Sequence, residues 1–283
     1  MKVSVTGATG FIGRHVIAEL DRRGISATLL SRSASALSIY AEKHSVATFD
    51  LNAPSPDTFD AIGRPDVLIH LAWDGLPNYQ SPHHFEDELP AQYRFLERAI
   101  AGGLANLFVT GTCFEYGMQS GPLHEELVAR PISQYGLAKN ALRVRLQDLQ
   151  GSVPFGLTWA RLFYIYGAGQ AATALYSLVR AAVERGDRSF NMSGGDQQRD
   201  YLPVEEVARD IVTLALRGRN NGVVNVCSGV PISIRQLVEG WISENGWSIE
   251  LNLGYYPYPD YEPMAFWGNR EKLDRCLHSG AAA

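Results

Sequence analysis

The stretch Val5-Thr6-Gly7-Ala8-Thr9-Gly10-Phe11-Ile12-Gly13 decides the fold. It follows a short apolar segment, 2–5, and leads directly into a run with helical periodicity, 11–23. A strand, a tight glycine turn and a helix start together form a cradle for a dinucleotide pyrophosphate. Glycine lets the backbone turn sharply and approach a phosphate, and the unpaired N–H groups of the first helical turn face the anion. The spacing is Gly-x-x-Gly-x-x-Gly rather than the commoner Gly-x-Gly-x-x-Gly. Gly7, Thr9, Gly10, Phe11, Ile12 and Gly13 are therefore expected to bind a dinucleotide. The competing reading is a structural turn in an unrelated α/β protein.

Working outward, strand-like and helix-like patterns alternate. Residues 2–5, 27–30, 45–49, 67–71, 106–110 and 155–162 read as strands, several of them continuous apolar runs. Such runs suit strands buried on both faces of a parallel sheet. Helical patterns lie between them, notably over 11–23, 86–101 and 133–149. This predicts an α/β doubly wound parallel sheet, the Rossmann arrangement, with a smaller α+β substrate-binding lobe. The dinucleotide-binding part is expected over 1–166 plus about 200–228, and the lobe over about 167–199 plus 229–283. Within the lobe, 171–185 reads as a helix, 193–196 as a turn, 254–267 as an irregular surface rich in Tyr and Pro, and 279–283 as a frayed tail. Residues 204–216 read as a helix and 223–226 as a short strand.

The chain has 283 residues, 46% hydrophobic and 19% charged, an ordinary globular balance. Its formal charge of -5 gives no overall reason to bind nucleic acid or an anionic membrane. Cys113, Cys227 and Cys276 are far apart, without metal-ligand spacing or a disulfide framework. No apolar run reaches the roughly 18 residues of a membrane span. The N-terminus shows no charged leader and apolar core, so the expected location is the cytoplasm. His83 and His84 stand beside Glu86, Asp87 and Glu88, but consecutive side chains do not converge as a coordination shell requires, so a solvated loop and no metal are expected there.

The chemistry concentrates in Ser133-Gln134-Tyr135-Gly136-Leu137-Ala138-Lys139. Tyr135 and Lys139, four apart, share a helix face. A phenol near pKa 10 exchanges protons poorly at neutral pH, and an ammonium beside it is expected to lower that value. The same lysine can hydrogen-bond a nicotinamide ribose. One element earlier, the strand at 107–110 runs into Gly111-Thr112-Cys113-Phe114-Glu115-Tyr116-Gly117, placing the Thr112 hydroxyl at the C-terminal sheet edge, where ligands bind in this architecture.

These pieces together resemble an extended short-chain dehydrogenase/reductase of the nucleotide-sugar epimerase/dehydratase type, over nearly the whole length. The matching segments include Asp50-Leu51, His70-Leu71-Ala72, Arg161 to Gly167, Arg199-Asp200-Tyr201 and Asn225 to Gly229. The resemblance implies that Thr112, Tyr135 and Lys139 are catalytic. It also implies that Asp50 and Leu51 approach the adenine, that Leu71 and Ala72 line the cofactor path, and that Arg199 contacts a sugar-nucleotide diphosphate. An arginine fork suits that last task. A homodimer built on a four-helix interface is implied as well.

The second strand ends Leu30-Ser31-Arg32-Ser33, where NAD-selective sites place an acid for the ribose 2′-hydroxyl. Ser31 and Arg32 suit a 2′-phosphate instead, so NADP(H) is expected over NAD(H). Dehydratases of this kind carry Thr-Asp-Glu after the fifth strand. Here Cys113 and Phe114 follow Thr112, and the acid and base of an elimination are missing. The cysteine of epimerase-reductases resembling GDP-fucose synthase aligns with Phe114, not Cys113. What remains is redox chemistry at C4 of a nucleotide-linked sugar. Residues 71–79 and 111–117 look closest to reductases and dehydrogenases of dTDP-6-deoxyhexoses. Trp73, Phe114 and Tyr164 offer apolar walls for a C6 methyl, with Cys113 and Arg199 completing the expected substrate contacts. Two alternatives stand beside this: a nucleotide-sugar 4-epimerase with bound NAD, and a non-catalytic NADP-binding regulator.

Overall fold

The computed structural model describes residues 1–259 and 262–278. Tyr261 of the tyrosine-rich stretch and the tail 279–283 lie outside the described residues.

Seven parallel strands form the central sheet. They are β1 (Val3–Thr6), β2 (Ala27–Ser31), β3 (Ser45–Thr48), β4 (Val67–His70), β5 (Asn106–Thr112), Gly156–Leu162 and Gly222–Val226. From one edge to the other they run Gly222–Val226, Gly156–Leu162, β5, β4, β1, β2, β3. The chain starts in the middle, at β1, and winds outward in both directions. The order therefore reverses beside β1, and the crevice at that switch point lies at the C-terminal strand ends. β1 and β4 are buried along their whole length, as expected of central strands of a parallel sheet, and their polar members Ser4, Thr6 and His70 are buried as well.

Helices cover both faces. On one, α1 (Phe11–Arg22) packs against Val204–Leu216. Val16, Ile17 and Leu20 of α1 are wholly removed from water, each contributing about 1.5–3 kcal/mol. On the other face, Leu89–Ala101 packs against Gln134–Gln150, burying Phe95, Leu96, Leu142 and Leu146. The helix expected from 86 is two pieces: a π-helical turn, His84–Glu88, precedes Leu89–Ala101. Pro90 sits in the first turn of the α-helix, where a missing N–H costs nothing.

A separate apolar cluster gathers around Trp241, with Val179, Leu237 and Val238 buried beside it. Tyr166 and Tyr176 meet the indole at ring distances of 5.0 and 5.1 Å. Its helices are Leu175–Glu184 and Ile234–Asn245. The second of these begins with a Ser233/Gln236 capping box and ends on left-handed Gly246. Beyond it, Phe266–Gly268 returns to pair with Gly121–Leu123, and Glu271–His278 closes the described chain as a helix. No helix of the described residues is long and apolar enough to cross a membrane.

Candidate active site

Three cavities lie in series along the C-terminal edge of the sheet. The first, about 260 Å³, is lined by Gly7, Thr9, Gly10, Ser31, Arg32, Asp50, Leu51, Leu71, Ala72 and Trp73, so it gathers most of the expected cofactor-binding residues. The second, about 270 Å³, holds Phe11, Ile12, Thr112, Tyr135 and Lys139, and shares Leu71 and Trp73 with the first. The third, about 700 Å³, shares Tyr79, Cys113, Phe114 and Tyr164 with the second and reaches Arg199.

The glycine turn is built as a close approach. Gly7 has φ +70°, and a Cβ there would stand 2.8 Å from the backbone nitrogen of Ala72. At Gly13 a Cβ would meet the Gly7 carbonyl oxygen at 2.1 Å, so α1 packs directly on the turn. The helix start has Gly10 as its cap, with no side-chain cap and no acid in the first turn. Its N–H groups are thus left for an anion from outside the helix, and the residues present fit a dinucleotide pyrophosphate. Behind the turn, buried His70 pairs through Nδ1 with the Thr6 hydroxyl at 2.9 Å. Burial and the nearby Lys139 ammonium drop its pKa to about 3, so it stays neutral. Arg32 is exposed at the rim of the first cavity and has no ion-pair partner among the described residues.

Thr112 ends β5 and caps the short 3-10 turn Cys113–Tyr116, its hydroxyl accepting from the Phe114 N–H at 3.3 Å. Glu115 completes the capping box from beneath. Fully buried, it accepts from the Thr112 N–H (3.0 Å), Trp159 Nε1 (2.8 Å) and Arg161 Nε (2.8 Å). This carboxylate is therefore committed to the core and does not face the cavities. Ser133 caps Gln134–Gln150 by accepting from the Gly136 N–H at 3.1 Å, which fixes Tyr135 in the first turn. Thr112 and Tyr135 line the second cavity together.

Two expectations at this centre are corrected. The Tyr135 pKa is raised, not lowered: desolvation by burial dominates, Tyr79, Glu115 and Cys113 add to it, and only the Thr112 side chain opposes. Lys139 does not reach the phenol. Its Nζ donates to the Thr110 carbonyl at 3.0 Å and lies 3.9 Å over the Trp73 ring, against 5.9 Å to the Tyr135 ring. Burial brings its own pKa down to about 7. Trp73, expected as a sugar wall, lines the first two cavities and not the third. Its indole N–H is tied to His84 Nδ1 at 3.1 Å, which turns the ring over the lysine.

His84 corrects a third expectation, that of a solvated loop. It is fully buried, 5.4 Å from the Tyr135 ring, with Nε2 on the Asn78 carbonyl at 2.8 Å. A carbonyl only accepts, so Nε2 carries the proton and Nδ1 is left to accept from Trp73. His83 does face water. It bonds Asp87 at 2.9 Å and lies 3.8 Å from Glu88, with Asp74 completing the group. Asp87 raises its pKa, with Glu88 and Asp74 adding to the effect.

In the third cavity Phe114 and Tyr79 meet at 4.9 Å, and Tyr164 stacks on Tyr201 at 5.1 Å. Cys113 is buried, with its pKa pushed up by desolvation, so it contributes a wall and no proton. Arg199 is almost inaccessible and pairs with Glu262 at 2.9 Å. Asp200 next to it accepts from the backbone N–H groups of Ser228 (2.6 Å), Gly229 (2.9 Å) and Gly268 (3.2 Å), tying the loop after Gly222–Val226 to the end of Phe266–Gly268. Sequence reasoning missed Glu262 and placed His84 in a solvated loop. Glu262 is 63 residues from its arginine, and only the tertiary fold joins them.

The NAD dependent epimerase/dehydratase family profile matches residues 3–227, and the chain belongs to that family. It is an enzyme of the extended short-chain dehydrogenase/reductase type. Among its relatives is the dTDP-6-deoxy-L-talose 4-dehydrogenase (NAD(+)) of Aggregatibacter actinomycetemcomitans, 28% identical over 95% of this chain and 99% of the relative. A second is the dTDP-6-deoxy-L-talose 4-dehydrogenase (NAD(P)(+)) of Kitasatospora kifunensis, 29% identical over 92% of this chain and 83% of the relative. Among solved structures, UDP-N-acetylglucosamine 4-epimerase from Methanobrevibacter ruminantium superposes with a TM-score of 0.85 at 22% identity, covering 97% of this chain and 91% of the other. That likeness concerns the fold.

Proposed function

We propose that this protein is a nicotinamide-dependent oxidoreductase acting at C4 of a nucleotide-linked 6-deoxyhexose, with NADP(H) as cofactor and a dTDP-sugar as substrate. One observation carries the reading. Thr112 and Tyr135 line one cavity together, where a narrow cleft rich in cofactor-binding residue types opens into a wide aromatic cavity. Both relatives named above are 4-dehydrogenases of a dTDP-6-deoxy sugar.

Gly7, Gly10 and Gly13 would hold the pyrophosphate, Asp50 and Leu51 the adenosine end, and Ser31 and Arg32 a 2′-phosphate. A nicotinamide, when bound, supplies hydride exchange with the sugar carbon. Tyr135 gives the C4 oxygen its proton on reduction and removes it on oxidation, and Thr112 holds that oxygen in place. A raised phenol pKa keeps Tyr135 protonated in the empty enzyme, the form that reduction of a 4-keto group requires. Residues 167–199 and 229–283 serve as the substrate lobe.

The test incubates the protein with NADPH or NADH and a panel of 4-keto-6-deoxy nucleotide sugars, with products identified by NMR. NADPH-dependent formation of a 4-hydroxy product is expected. Interconversion of 4-epimers without added cofactor, and no reaction with any 4-keto sugar, would instead support the epimerase reading. Tyr135→Phe should retain cofactor binding and lose turnover by about 10²-fold or more.

A further inference from the structure

The third cavity is nearly uncharged. Among its described lining residues only Arg199 and Glu262 carry charge, and they are paired with each other. The pair is well made. Arg199 Nη2 donates to Glu262 Oε2 at 2.9 Å, its Nη1 donates to the Gln198 carbonyl at 2.9 Å, and Phe266 lies 4.5 Å beneath the guanidinium. The Tyr164 hydroxyl donates to the other carboxylate oxygen, Oε1. The Arg199 side chain is 3% exposed and that of Glu262 15%, so of the two it is the carboxylate that borders the open space.

Resting on the proposed nucleotide-sugar substrate, we propose that Glu262 is a displaceable counter-ion that sets the affinity of this cavity for a diphosphate. A nucleoside diphosphate brings at least two negative charges. A desolvated anion requires a cation or strong donors, and the only cation the described cavity offers already has a carboxylate on it. Both anions cannot share one guanidinium face without like-charge repulsion in a poorly solvated site. The carboxylate therefore leaves when the diphosphate arrives. In the empty enzyme Glu262 keeps Arg199 paired, avoiding the cost of a lone buried charge, and holds the Tyr164 ring against Tyr201. On binding it yields Arg199, so part of the diphosphate's attraction is spent on breaking an existing ion pair. Removing the charge while keeping the hydrogen bonds should then tighten binding, the reverse of what loss of a direct ligand contact does.

The experiment titrates dTDP, with UDP and GDP alongside, calorimetrically into the full chain as wild type and as Glu262→Gln. NADPH affinity and a thermal melt are measured on the same samples. The expected result is a Kd for dTDP about tenfold lower in E262Q, the scale of one charge-assisted hydrogen bond freed from competition. NADPH affinity should stay within about twofold, since Glu262 does not line the first two cavities. Unchanged or weaker dTDP binding by a folded E262Q, with the wild type binding dTDP, overturns the inference and leaves the substrate reading standing. Failure of wild type and variant alike to bind all three nucleotides overturns both. Tyr164→Phe, which removes only the second hydrogen bond to Glu262, should tighten dTDP about two- to threefold and decides the matter if E262Q does not fold.

Discussion

Replacing Lys139 by Met should make this enzyme more stable and inactive. In the folded protein the ammonium is 1% exposed, and burial lowers its pKa from an ordinary 10.5 to about 7. Between those values the unfolded chain binds more protons than the folded one, so folding is penalised below the window and relieved above it. At about 1.4 kcal/mol per pH unit the gap sets a limit of about 5 kcal/mol below pH 7. The methionine gives up the hydrogen bond to the Thr110 carbonyl, about 1 kcal/mol, and fills nearly the same volume under Trp73. Discounting for relaxation around a buried charge, a net gain of about 2–3 kcal/mol is expected near pH 6.5, a rise in Tm of about 5 °C for a chain of this size. The gain should shrink to nearly nothing by pH 9.5, where folded Lys139 is neutral, the unfolded lysine is still mostly protonated, and the remaining penalty of about 1.4 kcal/mol is offset by the lost hydrogen bond. Urea denaturation of both proteins without cofactor, at pH 6.5, 8 and 9.5, measures this. A variant less stable than wild type at pH 6.5, or a difference that ignores pH, would show that the lysine is not held at a cost.

Three further outcomes follow from the site. Arg32→Asp should weaken NADPH binding by about 10–100-fold and spare NADH, since a charge-assisted contact to a 2′-phosphate is worth about 1.5–3 kcal/mol; equal losses for both cofactors in fluorescence titrations would refute the reading of Arg32. Gly13→Ala drives a Cβ into the Gly7 carbonyl and should abolish cofactor binding and destabilise the fold, whereas Gly24→Ala, which meets nothing within 4 Å, should disturb binding little despite its φ of +68°. Glu115→Ala leaves Arg161 buried and unpaired and should cost about 3–5 kcal/mol in urea denaturation, with Glu115→Gln milder because the Trp159 and Thr112 hydrogen bonds survive.

The parallel sheet was legible because its signals are local. Buried strands such as Val67–His70 are apolar over most of their length, and the glycine turn stands between a strand and a helix with no intervening loop. The lobe around Trp241 was less legible. Its strands are two or three residues long and pair across the chain, as Ser189–Asn191 does with Glu250–Asn252, so no window of sequence carries their period. Likewise His84 reads as one polar residue among five, and only the π-helical turn rotates it inward while leaving His83 outside.

Electrostatics was the least legible layer, and the Tyr135–Lys139 pair shows why. Spacing of four on a helix puts two side chains on one face, and it says nothing of what competes for them. The ammonium found the Thr110 carbonyl and the π-face of Trp73, a residue 66 positions away, and Trp73 was aimed there by His84. Each group is satisfied, so the phenol is left with burial and a threonine, and its pKa rises. A lysine that is to assist Tyr135 or hold a ribose must therefore first leave the shelter of the indole, and Trp73 lines both the first and the second cavity. The resting site is arranged to satisfy its own charges. Lys139 against Trp73 in the cleft and Arg199 against Glu262 in the wide cavity are two buried cations that each already have a partner within the chain.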